Sequence, residues 1–137
     1  MGRRRKAREI ALQILFQIEF NDCDLDLILD QYWEFKSVEK EVEKFSRWLV
    51  KNVAERREDL DSTIQSVSEH WRLSRMAVID RNILRLAVFE LSFGENIAPA
   101  IVINEAIEIA KKFSGTQAAN FINGILDAIK RKMEDKK

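Results

Sequence analysis

Proline occurs once in this chain, at Pro99, and glycine only four times. So few breakers let helices run long. Apolar residues recur at the 3.6-residue helical spacing along the chain, and the alternation of a strand is nearly absent. The first helix is predicted over about Arg5 to Phe20, with Ala7, Ile10, Ala11, Ile14, Leu15 and Ile18 on one face. A second, about Asp22 to Phe35, carries Leu25, Ile28, Leu29 and Tyr32, with Asn21 or Asp22 able to cap it. A third starts near Ser37, another capping residue, and buries Val38, Val42, Phe45, Leu49 and Val53. A fourth holds Leu60, Ile64, Val67 and Trp71.

The stretch from Trp71 to Ser74 is expected to join two halves. Ser74 is predicted to cap a long apolar helix that ends at Gly94, where glycine can take the left-handed conformation. Pro99 suits the first turn of the next helix. That helix buries Ile103, Ala106, Ile107, Ala110 and Phe113, and closes with Lys111 and Lys112 at the negative end of its dipole. Gly115 stops it, and Thr116 caps a last helix with Phe121, Ile122, Ile125, Leu126 and Ile129 facing inward. The charged tail from Lys130 is expected to fray. The predicted fold is all-α: about seven helices in two packed sub-bundles, about 1–72 and 74–137, forming one domain over 1–137.

Composition narrows the function. A chain of 137 residues folds without disulfides or metals. No apolar run approaches the ~20 residues of a membrane span. Gln13, Gln17 and Glu19 break the stretch that a signal peptide would need. One cysteine, Cys23, reads as a small apolar filler, and one histidine, His70, has no ligand set around it. These features fit a reducing cytoplasm. There is no glycine-rich phosphate loop and no Ser or Cys paired with a base, so neither catalysis nor a cofactor is expected.

Charge is balanced overall, 23 Lys+Arg against 23 Asp+Glu, yet five cations crowd one end: Arg3, Arg4, Arg5, Lys6 and Arg8. Such an arm either sits solvated or neutralises phosphates and releases their counterions. Five contacts to a single strand would give a salt slope of about −3.5, at roughly −0.7 each. Leu12, Phe16 and Phe20 form a second apolar line on the first helix; Leu12 and Phe20 read as core, and Phe16 reads either as core or as a ring that stacks on an unpaired base. Asp80 and Glu90 interrupt the stripe of Met76, Ile83, Ala87 and Leu91. Glu90 is expected to be paired near the next helix start, and Asp80 to meet a partner or ligand. Asn123 and Gly124 make a small notch that serves either a close helix crossing or the approach of a nucleic-acid backbone.

Three segments together resemble a known family: RRRKAREIALQILFQ at 3–17, IDRNILRLAVFEL at 79–91, and INEAIEIAKKFSG at 103–115 followed by NFINGILD at 120–127. They are similar to NusB, the bacterial transcription antitermination factor family. The resemblance implies an all-helical, non-catalytic protein without cofactors. It implies binding to the single-stranded boxA sequence of ribosomal RNA leaders, together with NusE, a small-subunit ribosomal protein. The pair joins other Nus factors on RNA polymerase, away from any membrane, and some members dimerise. By position, Arg3, Arg4, Arg5, Lys6 and Arg8 match the family's RNA arm. Phe16 matches an aromatic that is usually tyrosine, and so can stack but not donate a hydroxyl hydrogen bond. Phe121 and Gln117 match RNA-side positions, Asn120 replaces a frequent lysine, and Asp80 matches an acidic position near both RNA and NusE. The partner surface falls along the helix at 75–93. Two other functions share the pattern: the non-catalytic module at the front of certain ribosomal RNA cytosine methyltransferases, and a helical domain that binds only proteins.

Overall fold

Seven α-helices and one short 3₁₀ turn build the described part of the computed structural model, residues 2–20, 24–35, 38–94 and 97–135. The helices are α1 (Arg3–Phe20), α2 (Leu25–Phe35), α3 (Lys40–Glu55), α4 (Arg57–Val67), α5 (Val78–Phe93), α6 (Pro99–Phe113) and α7 (Thr116–Asp135). The described residues contain no strand, and no helix there is long and apolar enough to cross a membrane. The expected caps Asn21, Asp22 and Ser37, and the filler Cys23, lie outside the described residues.

The chain divides into two units, Met1–Glu55 and Arg56–Lys137. In the first, α1 meets α2 and α3 through Ala7, Ile10, Ala11, Ile14, Leu15, Leu29, Val42, Leu49, Val50 and Val53, all buried. Small residues permit the close approach of α1 and α3: Ala7 and Ala11 are fully buried, and the buried Ser46 hydroxyl donates to the Ala7 carbonyl at 2.6 Å. That bond satisfies a hydroxyl that would otherwise be costly inside. On α2, burial raises the pKa of Tyr32, and its phenol donates to Gln13 Oε1 at 3.4 Å.

The boundary differs from the expected one near residue 73, because α4 packs with the second unit. Leu60 and Ile64 of α4 are buried there, and a polar grip adds to them. Buried Arg85 on α5 grips Asp61 of α4 at two points, Nε to Oδ1 at 2.6 Å and Nη2 to Oδ2 at 3.1 Å, and donates from Nη1 to Asn82 Oδ1 at 3.0 Å. Helix α5 is buried on every side from Asn82 to Glu90, the pattern of a central helix. Phe89, fully enclosed there, contributes about 1.5–3 kcal/mol by leaving water. Glu90 is buried and partnered.

Several local expectations are corrected. Ser74 lies inside the 3₁₀ turn Leu73–Arg75, and α5 begins only at Val78, after Ala77 with no side-chain cap. Gly94 is extended, at φ −69 and ψ 133, and is needed because a Cβ there would strike the Glu90 carbonyl oxygen. Gly115 does take a positive φ of 108. Its carbonyl accepts the Ala119 N–H at 3.0 Å, so Gly115 holds the N-cap position and Thr116 is already helical. The charged tail does not fray at Lys130. Helix α7 continues to Asp135, with Arg131 paired to Asp127 at 2.8 Å and Lys132 Nζ donating to Ser66 Oγ at 3.0 Å. Pro99 opens α6, and Lys111 and Lys112 close it.

Candidate nucleic-acid interface

The basic arm is helix from Arg3 onward. Cations in a first turn oppose the helix dipole, each at a cost of about 0.3–1 kcal/mol. No acidic residue stands in the first turn of α1 to offset them. For Arg3 the offset comes from the start of α3 and the residue before it: Arg3 Nε meets Glu39 Oε2 at 2.7 Å and Nη1 meets Glu41 Oε2 at 2.7 Å. Glu41 also stands in the first turn of α3, where its charge suits the positive end of that helix.

The five cations therefore part company. Arg3 is exposed but paired with carboxylates. Arg4 is exposed and lies over the Phe45 ring, its Cζ 4.7 Å from the centroid, with no carboxylate partner among the described residues. Arg5 is half-buried and partnered. Lys6 is exposed, with no ion pair among the described residues. Arg8 is 5% exposed, its Cζ 5.8 Å from the Phe45 ring. The α1 start thus presents Arg3, Arg4 and Lys6 to solvent and withdraws Arg8, which supports the aromatic ring below.

Farther along α1, Leu12 is buried as expected, while Phe16 is 37% exposed. Phe20, expected in the core, is 65% exposed and stands against Phe16 with ring centroids 5.1 Å apart. The second apolar line of α1 thus leaves the core after one residue, and its last two rings form an exposed pair.

In the second unit, Asp80 lies half-buried in the first turn of α5, and its Oδ1 accepts the Ser114 hydroxyl at 2.6 Å. This ties α5 to the turn that starts α7. Gln117 and Asn120 are exposed on the first turns of α7, and Phe121 is half-buried. Gly124 is exposed with nothing within 4 Å of an added Cβ, which rules out a close helix crossing at that position. With exposed Asn123 it leaves a smooth, small-residue patch on α7.

Trp71, expected in the core of α4, lies beyond the end of that helix and is 56% exposed. Its ring meets Phe121 edge-on, centroids 6.3 Å apart. The turn that carries it is held by Gln65, whose Nε2 donates to the Ser68 and Trp71 carbonyls at 2.9 and 3.1 Å and whose Oε1 accepts the Leu73 N–H at 2.9 Å. Ser68 Oγ also donates to the Trp71 carbonyl at 2.7 Å. The helical spacing from Ile64 and Val67 concealed this, because Trp71 keeps the period past the point where the helix stops. Phe45 was likewise assigned to the core and not to the arm. The signal available was its place beside the stacked Trp48, three residues on and on the same helical face.

Each unit therefore carries exposed rings beside polar or cationic groups, the pairing that binds phosphates and bases. Metal-ligating clusters are absent among the described residues. A model of the NusB family matches residues 5–131. The transcription antitermination protein NusB of Anaeromyxobacter dehalogenans is 46% identical over 129 residues, covering 93% of this chain and 90% of that protein. Among solved structures, NusB of T. maritima superimposes with a TM-score of 0.84 at 37% identity, over 96% of this chain and 92% of that one. A chain from the crystal structure of antitermination factors NusB and NusE in complex with dsRNA gives a TM-score of 0.83 at 28% identity, over 96% of this chain and 98% of that one. With a family match across nearly its whole length and relatives of this identity, the chain belongs to the NusB family.

Proposed function

We propose that this protein is a cytoplasmic transcription antitermination factor that binds single-stranded boxA RNA of ribosomal RNA leaders. It does so jointly with NusE, and the pair joins other Nus factors on RNA polymerase. The observation that carries the reading is the α1 start. Arg4 and Lys6 are exposed cations with no carboxylate partner among the described residues, on a helix end whose own dipole already attracts anions. Residues that locally disfavour a helix are expected where function requires them.

Within this reading the arm gives affinity through Arg3, Arg4 and Lys6, while Arg5 and Arg8 hold the helix and ring in place. Phe16 stacks on a base. On α7, Gln117 and Phe121 meet RNA, and the smooth patch at Gly124 admits a backbone. Asp80, fixed by Ser114, faces NusE. Phosphate contacts position the strand and carry no sequence information, so preference for boxA comes from base-edge contacts shared between the two proteins.

The test measures affinity for a boxA-like strand, a scrambled strand and a duplex, at two salt concentrations, with and without NusE. The expected result is tightest binding to the boxA-like strand in the presence of NusE, with affinity falling as salt rises. Equal binding to boxA-like and scrambled strands under every condition would remove the reading. Phe16→Ala is expected to weaken RNA binding by about 1–3 kcal/mol while leaving the salt slope unchanged.

A further inference from the structure

The first unit holds an aromatic stack that the arm does not account for. Phe45 and Trp48 are one helical turn apart on α3, with ring centroids 5.7 Å apart and planes inclined by 21°. Arg4 lies over the same Phe45 ring at 4.7 Å. The apolar face of α3 is already filled by Val42, Leu49, Val50 and Val53. Trp48 is outside that set and is 40% exposed, so part of its ring surface meets solvent.

We infer that Trp48 is a second base-stacking residue of the RNA surface, carried by α3 and coupled through Phe45 to the phosphate-binding Arg4. The inference rests on the RNA-binding reading and extends it to a helix that the sequence comparison with the family's arm did not touch. Three features favour an unpaired nucleobase as the occupant. An indole offers a wide π-surface, and every base has a matching face, so stacking needs no hydrogen-bond partner. Arg4 brings positive charge into the same stack, within reach of the phosphate that accompanies a base. The stack is also formed before RNA arrives, because Phe45 already contacts both Arg4 and Trp48, and the next residue, Ser46, is fixed by its buried bond to Ala7. A preformed platform loses little side-chain freedom on binding.

Trp48 fluorescence isolates the question. In a variant carrying Trp33→Phe and Trp71→Phe, Trp48 is the remaining indole. Titration with the boxA-like single strand is expected to quench it, with a midpoint equal to the Kd measured independently by filter binding. Trp48→Ala in the full chain is expected to weaken binding of that strand about 5-fold to 150-fold, the span of one base–aromatic stack, and Trp48→Phe to restore most of the loss. The RNA reading and this inference fail separately. If the parent protein binds the strand with boxA preference but Trp48 is not quenched and Trp48→Ala binds normally, the inference is overturned and the RNA reading stands. If the parent protein binds no RNA, both fall. If Trp48→Ala abolishes a dimer seen by sedimentation and leaves RNA affinity intact, the ring serves a second copy of the chain and the inference is overturned. Should Trp48→Ala fold poorly, the fluorescence arm and Trp48→Phe still decide.

Discussion

Arg85 and Arg4 carry the same guanidinium in opposite surroundings. Arg85 is buried in α5 and held at two points by Asp61 and at a third by Asn82. Arg4 is exposed at the start of α1, and an aromatic ring is its partner. A bidentate pair with a carboxylate fixes a guanidinium in one place and uses its charge internally. A ring leaves most of the charge available, because the attraction to a π-face is weak and is not neutralisation. The second unit thus uses arginine to join α4 to α5, and the first unit leaves it facing solvent over a ring. A count of basic residues does not distinguish these uses; the partner does.

The largest effect that would test this contrast is at Asp61. Asp61→Ala strands the buried Arg85 charge and is expected to cost about 3–5 kcal/mol in denaturant unfolding, with RNA affinity unchanged at temperatures where the variant is folded. A small stability loss would show that the pair is dispensable and that α4 is held by its apolar face alone. Next in size is the double change Arg4→Ala with Lys6→Ala. It should leave stability within about 0.5 kcal/mol and flatten the salt slope of RNA binding by about 1.4. An unchanged slope would mean that these cations do not meet phosphate. Arg8→Ala offers the converse: burial predicts a loss of about 1–3 kcal/mol in stability, comparable to other disrupted buried polar groups, so the five cations would not act as one set. The smallest effect is at Gly124. Gly124→Ala adds a methyl to open space on a helix, which is expected to stabilise the protein by up to about 1 kcal/mol in thermal unfolding. The same variant should bind RNA more weakly if α7 meets the strand there, and equal affinity would place the strand elsewhere.

Much of this was legible in the primary structure. The helices were found because apolar residues repeat at 3.6 in segments long enough to outweigh local ambiguity, as in α6 and α7. Helix ends were less legible. Ser74 has the chemistry of a cap and lies in a 3₁₀ turn instead, and Gly94 was chosen by a collision with Glu90 and not by a left-handed φ. Such choices are set by backbone neighbours that no local rule contains. The core was read correctly for Leu12 and wrongly for Phe20 and Trp71, because periodicity shows which residues share a face and not how far a neighbouring helix extends to cover it.

The order of residues by itself determined that the chain is helical, that five cations crowd its first eight residues, and that it has the segments of its family. These depend on local spacing and composition, which a linear chain carries directly. Only the tertiary structure decided which cations stay in water, that α4 joins the second unit through Asp61, and that Trp48 stacks on the ring beneath Arg4. Each of those is a meeting of side chains far apart along the chain, and the energy of an arginine is set by what it meets.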